Sequence, residues 1–242
     1  MQVHWMALAL GLVAAAANVC GGLAVVRWPW QPLYLKYFIA LGAGFMLSVS
    51  LLEMLPESYS LLGTQAASWM LAGYLLMHFF EHTLSAHFHF GEEVHAEEVS
   101  GSRRSHAILF GLMIHAFLDG VSIATGFLVS TGLGWVIFLA VFLHKMPEGF
   151  AVSSVMVASG KAARIALLAS ALLGVATLAG VLVMSPLSRQ VAYTLPIAAG
   201  VALYVAASDL VPEVNREPGI RMALVVFGGV VLFFGLKMLV GI

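Results

Sequence analysis

Charge is scarce in this sequence of 242 residues. Only 10% of the residues are charged, 61% are hydrophobic, and the mean hydropathy is +0.99, whereas a soluble domain carries roughly 25% charged residues. Water cannot solvate such a composition as a globule, so we predict an integral membrane protein. The net charge of −1 argues against nucleic acid as a partner.

Cysteine and recognisable enzyme motifs are also scarce. Cys20 is the single cysteine, which excludes an intramolecular disulfide. No Lys or Arg precedes Arg27, and the first apolar run is longer than the roughly 15 residues of a signal peptide, so it is predicted to be a membrane span. The sequence contains no P-loop, hence no nucleotide-driven motor, and no His-Glu-x-x-His metalloprotease motif.

Long hydrophobic runs fill most of the chain. A membrane-spanning helix needs about 20 mainly apolar residues, and eight segments qualify: 3–26, 36–56, 67–87, 107–130, 133–158, 163–184, 191–212 and 219–241. The connections are short except for the polar loop 88–106, which we expect to be flexible. We therefore predict an all-α integral membrane protein with a single membrane domain over 1–242.

The basic residues predict the orientation of the spans. Eight of them lie in the loops after spans 1, 3, 5 and 7, and two lie on the other side. Cytoplasmic loops carry the excess of Lys and Arg, so loop 88–106 is predicted to be cytoplasmic and both termini to be outside. The compact loops favour a bacterial inner membrane.

A short internal echo links span 2 to span 7. The sequence EMLPE begins at Glu53 and the sequence DLVPE begins at Asp209. Spans 2 and 7 have opposite topologies, as in the inverted repeats of transporters, so we predict an inverted-repeat transporter fold. Glu53 and Asp209 are predicted to form an outer relay for a metal ion.

Two matched motifs carry the chemistry: HAFLDG on span 4 and HKMPEG on span 5. Residues four apart share one helix face, which pairs His115 with Asp119 and His144 with Glu148. If the two faces meet, two imidazoles and two carboxylates converge near mid-membrane. Such nitrogen and oxygen ligands suit Zn²⁺, Fe²⁺ or Mn²⁺.

The alternative is a buried His–carboxylate hydrogen bond within each helix. Ionisable groups inside membranes are rare and usually functional, and two matched motifs on neighbouring spans favour the metal site. Ser122 continues the polar stripe of span 4. Lys145 lies within pairing reach of Glu148 and could neutralise it. Pro147 predicts an interruption of the span 5 helix.

Other polar residues are candidates for weaker roles. Met46 could offer a thioether to a soft ion, although a core methionine explains it as well. His78, Glu81 and His82 near the end of span 3 are interpreted as an interfacial group. Four histidines in or near the cytoplasmic loop could collect a cation weakly, or could simply be solvated: His87, His89, His95 and His106.

The sequence resembles the ZIP (Zrt/Irt-like) family of divalent metal transporters. The resemblance rests on eight spans, a His-containing loop between spans 3 and 4, and the motifs HAFLDG and HKMPEG on spans 4 and 5. It implies metal ligation by the two histidines and two carboxylates of these motifs, with Met46 as a possible further ligand. Many members hold a second metal beside the first, but Ala116 and Lys145 replace two of its usual ligands here. We therefore expect a mononuclear site and a divergent member.

The resemblance also implies a mechanism. Relatives move metal into the cytoplasm, are commonly dimers, and slide spans 1, 4, 5 and 6 against spans 2, 3, 7 and 8. We predict transport, without enzymatic activity or cofactor, of Zn²⁺ first and also of Fe²⁺, Mn²⁺ and Cd²⁺, by a homodimer in contact with membrane lipid. The alternatives are an intramembrane metalloenzyme, which would use the same side chains to activate water, and a metal-sensing receptor.

Overall fold

The computed structural model describes residues 5–27, 32–84 and 102–240, and within these ranges it contains helices and turns but no strand. The first half comprises α1 (Trp5–Arg27), α2 (Pro32–Val49), a π-helix (Ser50–Met54), α3 (Leu55–Leu62) and α4 (Gln65–Leu84). The second half comprises α5 (Ser102–Val129), α6 (Thr131–Ala158), α7 (Ala163–Met184), a 3₁₀ helix (Ser185–Gln190), α8 (Val191–Tyr204), a π-helix (Val205–Leu210), α9 (Val211–Asn215) and α10 (Ile220–Val240).

The helices in the described ranges match the eight predicted spans to within a few residues, and the predicted all-α membrane fold is confirmed. Seven helical stretches are long and apolar enough to cross a membrane. The exception is α4, because polar side chains near its end, including His78 and Glu81, lower its hydropathy. Helix α5 begins at Ser102, so the last five residues of the predicted loop 88–106 are helical rather than flexible.

Helices α5 and α6 are joined through Ser130 alone. The Ser130 hydroxyl accepts a hydrogen bond from the backbone N–H of Leu133 at 3.1 Å and so caps the start of α6. A one-residue connection makes the two helices antiparallel neighbours. The two motif-bearing spans are therefore held side by side along their length.

The interruption predicted at Pro147 is wrong, since α6 continues through this proline as one α-helix. The irregular backbone lies instead in the two spans that share the sequence echo. Each π-helix ends two residues before the proline of its echo, Pro56 or Pro212. Proline cannot donate to the helical ladder, and π-helical turns are frequent at functional sites. The two spans thus share a local structure, a π-helix followed by a proline, as well as a short sequence.

One four-helix bundle, which we call the first bundle, consists of α1, α5, α6 and α7. Gly149 of α6 lies against the backbone carbonyl of Asn18 in α1, and Gly120 of α5 lies against that of Thr177 in α7. A Cβ at either glycine would overlap the carbonyl oxygen. These two glycines directly follow the acids of the two motifs, so close backbone packing fixes the acids within the first bundle.

The remaining long helices α2, α4, α8 and α10 form the second bundle. It is also closed by glycines that lie against backbone carbonyls. Gly44 of α2 lies against the carbonyl of Val226 in α10, and Gly200 of α8 lies against that of Met70 in α4. Both bundles are therefore closed by contacts from glycine to backbone.

The interface between the two bundles, which we call the seam, is packed differently. A Cβ built on Gly42 of α2 would lie 3.6 Å from the Leu143 Cβ of α6, an ordinary van der Waals distance. The Thr125 and Thr194 hydroxyls lie 3.4 Å apart across the same seam. None of the described glycines brings backbone into tight contact across it. Side chains, rather than interlocked backbones, hold the two bundles together.

Candidate metal centre

Four potential metal ligands converge inside the first bundle. His115 and Asp119 come from α5, His144 and Glu148 come from α6, and all four are buried. One ligand atom from each lies within 4.8 Å of the others. Helical spacing predicts the two pairs, and the packing of α5 against α6 brings the pairs together, while their role as metal ligands remains a prediction.

Asp119 is the hub of this group. Its Oδ2 atom lies 3.2 Å from the Nε2 atoms of both His115 and His144. The two imidazole rings meet edge to face with centroids 5.6 Å apart. A metal ion that bound both Nε2 atoms would therefore also meet the Asp119 carboxylate.

The His144 ring is oriented by its own helix. Its Nδ1 atom lies 3.0 Å from the backbone carbonyl oxygen of Ala140. Because a carbonyl oxygen only accepts, Nδ1 donates its hydrogen there, and Nε2 is the nitrogen that faces Asp119. This is the arrangement that usually orients a metal-binding histidine, and it turns the basic nitrogen towards Asp119.

Lys145 is fully buried and ties the two carboxylates together. Its Nζ atom donates to Asp119 Oδ2 at 2.6 Å and also to Glu148 Oε2. The bond to Glu148 follows the predicted three-residue spacing, whereas the bond to Asp119 crosses from α6 to α5. The other Glu148 oxygen, Oε1, is buried without a hydrogen-bond partner among the described residues. It remains available to a ligand.

Two further candidates lie near the site helices but contribute no resolved ligand contact. Met46 is buried on α2, within the main hydrophobic core. The Ser122 hydroxyl donates to the Leu118 carbonyl of its own helix at 2.9 Å. Metal contact by either side chain remains a prediction.

The structure does not place Glu53 and Asp209 on one side. Lys237 of α10 donates to Glu53 at 2.7 Å, whereas Asp209 lies within hydrogen-bonding reach of Glu81 in α4. Glu53 lies near the Gly63 turn that joins α3 to α4, whereas Glu81 lies near the far end of α4. Glu53 and the Asp209–Glu81 pair therefore lie at opposite ends of the second bundle. A single outer relay that used both acids is therefore wrong, because symmetric positions of an inverted repeat face opposite sides.

The histidines outside the centre are scattered. His78 and His82 stack on α4 with ring centroids 4.1 Å apart. His106 is exposed near the start of α5. The other three predicted loop ligands, His87, His89 and His95, lie outside the described residues.

Sequence reasoning missed Asn18. This residue is completely buried on α1, and neither side-chain polar atom has a partner among the described residues. Its backbone lies against Gly149, which follows the candidate ligand Glu148. The signal was visible, because Asn18 is the polar exception in an alanine-rich apolar run.

A buried set of imidazoles and carboxylates within long apolar helices is typical of an integral membrane protein that could hold a metal ion. The family model described as "ZIP Zinc transporter" matches residues 91–237, which is more than half of the chain. The chain therefore belongs to the ZIP zinc transporter family, and the predicted resemblance is confirmed.

Individual relatives agree with this assignment. Zinc transporter foi of Drosophila melanogaster is 28% identical over 127 residues, covering 51% of this chain and 18% of the relative. Human zinc transporter ZIP4 is 34% identical over 112 residues, covering 45% and 17%. Zinc transporter ZIP9-B of Xenopus laevis is 27% identical over 161 residues, covering 60% and 52%. The matched region spans at most about half the length of these relatives.

Proposed function

We propose that the chain transports divalent transition-metal ions into the cytoplasm, with Zn²⁺ first and Fe²⁺, Mn²⁺ and Cd²⁺ as further substrates. The observation that carries this proposal is the buried convergence of His115, Asp119, His144 and Glu148. Relatives named zinc transporters support the same class of substrate. Family membership favours transport over the metalloenzyme and the receptor.

The chemistry of the site suits a cargo that must leave again. Zinc is commonly bound by four ligands in tetrahedral geometry, and two imidazoles and two carboxylates supply that number without thiolates. Met46 lies on the second bundle, and its soft thioether would join these ligands at one stage of transport. The Lys145 ammonium fills the space beside Asp119 and Glu148, which supports a mononuclear site.

Acidic groups at the two ends of the second bundle provide a route. Glu53 lies at one end, beside Lys237, and is assigned to metal entry. Asp209 and Glu81 lie at the other end and are assigned to exit, where the predicted cytoplasmic loop would receive the ion. The basic-residue bias assigns both termini to the outside, and compact loops favour a bacterial inner membrane.

The packing of the bundles supports an elevator motion. Each bundle is internally closed by glycine contacts, and the seam is not. The first bundle carries the metal and slides, and the second bundle stays fixed and supplies the contacts of a homodimer within the lipid. A membrane potential of 100 mV, inside negative, supplies about 4.6 kcal/mol for a divalent cation.

The test is uptake of radioactive zinc into proteoliposomes. We expect His115→Ala to abolish uptake, because one of the two imidazoles is lost. His82→Ala is the matched control, because this exposed histidine contacts its own helix turn among the described residues and should leave uptake unchanged. Wild-type protein that binds zinc without moving it would favour the receptor and contradict transport.

A further inference from the structure

Lys145 occupies the oxygen atom that a bound metal ion would use. Asp119 Oδ2 accepts a hydrogen bond from Lys145 Nζ at 2.6 Å and lies 3.2 Å from the Nε2 atoms of both histidines. A zinc ion bound to those nitrogens would take this oxygen at about 2.0–2.2 Å. Two cations at one oxygen repel each other, so metal binding displaces the ammonium from Asp119.

The ammonium also balances the charge of the empty site. The Lys145 ammonium pairs with both carboxylates, Asp119 and Glu148. A neutral residue at 145 would therefore leave the empty site one charge more negative. Bringing unpaired charge through a low-dielectric region is costly. A divalent ion would by itself neutralise both carboxylates, so the loaded site does not need the ammonium for charge balance and is one charge more positive with it than without it.

We propose that Lys145 is a tethered counter-cation that replaces the metal in the empty carrier. It pairs with Asp119 and Glu148 after the metal leaves, and the first bundle then returns without taking up a second ion. The inference rests on the proposed transport function and goes beyond it. It assigns Lys145 to the return step rather than to metal binding, so that no coupled ion is needed for net uptake.

The proposal separates two reactions that a carrier can perform. Net uptake into zinc-free vesicles requires the empty first bundle to return. Exchange of external radioactive zinc for internal unlabelled zinc uses only loaded forms. Loss of the ammonium should therefore impair net uptake and spare exchange, whereas loss of a metal ligand impairs both.

The experiment measures both reactions in proteoliposomes for wild type, Lys145→Gln, Lys145→Arg and Lys36→Gln. For Lys145→Gln we expect the ratio of net uptake to exchange to fall at least about tenfold, which is the effect of about 1.4 kcal/mol on the return barrier. Lys145→Arg keeps the charge and should keep the wild-type ratio. Lys36→Gln is the matched control, because its ion pair with Glu217 lies at a bundle end.

Each outcome is decisive. A wild-type ratio in Lys145→Gln overturns the proposal, and so does loss of both reactions in a variant that still binds zinc by calorimetry. If Lys145→Gln does not fold, Lys145→Arg decides alone: a retained ratio supports the proposal and a tenfold lower ratio overturns it. Wild-type protein that performs neither reaction contradicts the transport function itself.

Discussion

The two four-helix bundles differ in where they place charge. The first bundle buries its ionisable groups midway along α5 and α6, where His115, Asp119, His144, Lys145 and Glu148 form one cluster. The second bundle places its charged pairs at its ends. Charge inside a membrane is costly and usually functional, so the comparison supports the proposal that the first bundle carries the ion.

The bundles are alike in how they are closed. Both use glycines that lie on backbone carbonyls of a neighbouring helix, and the seam between them does not. Tight backbone packing transmits displacement as a unit, whereas a side-chain seam allows one surface to pass over another. The contrast between interior and seam is what an elevator requires.

The largest effect on transport is expected from a covalent cross-link across the seam. A Cβ at Gly42 would lie 3.6 Å from the Leu143 Cβ, within the 3.5–4.5 Å range of disulfides. In a Cys20→Ser background, the pair Gly42→Cys and Leu143→Cys should cross-link and stop zinc uptake completely, with recovery on reduction. Radioactive uptake before and after reductant measures the effect.

The matched control places a cross-link inside the first bundle. A Cβ at Gly11 of α1 would lie 3.9 Å from the Val181 Cβ of α7, so Gly11→Cys with Val181→Cys offers the same geometry without spanning the seam. We expect this variant to transport when oxidised. Equal inhibition by both cross-links, or none by the seam cross-link once its formation is verified by mass, would contradict sliding.

The next largest effect is expected from Asp119→Ala. This change removes the oxygen that faces both histidines and Lys145. Zinc uptake should fall by about a hundredfold or more, the upper range for lost metal-site interactions, while the purified protein stays folded. Uptake in proteoliposomes and chromatographic monodispersity are the two readouts. A well-folded Asp119→Ala protein with wild-type uptake would refute the site assignment.

Much of this arrangement could be predicted because it follows from helical periodicity. Spacing of four residues predicts that His115 and Asp119 share a face, and the one-residue connection at Ser130 makes α5 and α6 neighbours. The bond from Lys145 to Asp119 could not be predicted, because it depends on how two helices are rotated about their axes. Asn18 is a similar case, since α1 is apolar on every face.

The prolines show a second limit of sequence reasoning. Pro147 lies within a helix that stays regular, whereas the spans with Pro56 and Pro212 contain π-helices. A lost hydrogen bond can be accommodated by neighbouring groups, so the proline alone does not determine where the backbone changes. The position predicted for Asp209 is wrong for another reason: spans 2 and 7 run in opposite directions, so equivalent positions near their ends lie on opposite sides.

A smaller effect, on stability, is expected from alanine at the glycines that close each bundle. It tests whether the two bundles are packed equally tightly. A Cβ at Gly149 would overlap the Asn18 carbonyl, and one at Gly200 would overlap the Met70 carbonyl. Gly149→Ala and Gly200→Ala should each lower the free energy of unfolding by about 1–3 kcal/mol, the usual cost of overpacking. Thermal unfolding in detergent measures the change.

Gly235→Ala is the control for these two variants, because no atom of another described helix lies within 4 Å of a Cβ at that position. It should leave stability unchanged or raise it by up to about 1 kcal/mol through helix propensity. Destabilisation by Gly235→Ala as large as that by Gly149→Ala would show that the overlap is not the cause.

The smallest effect concerns Met46, which belongs to the second bundle while the other candidate ligands belong to the first. Met46→Leu conserves volume in a buried position and should cost less than about 1.5 kcal/mol in stability. If the thioether contacts the ion at one stage of the sliding motion, loss of this soft ligand should lower Cd²⁺ uptake several-fold relative to Mn²⁺, because soft ions prefer sulfur. Competition of each ion with radioactive zinc measures the ratio. An unchanged Cd²⁺ to Mn²⁺ ratio would assign Met46 to packing alone and confine the metal ligands to the first bundle.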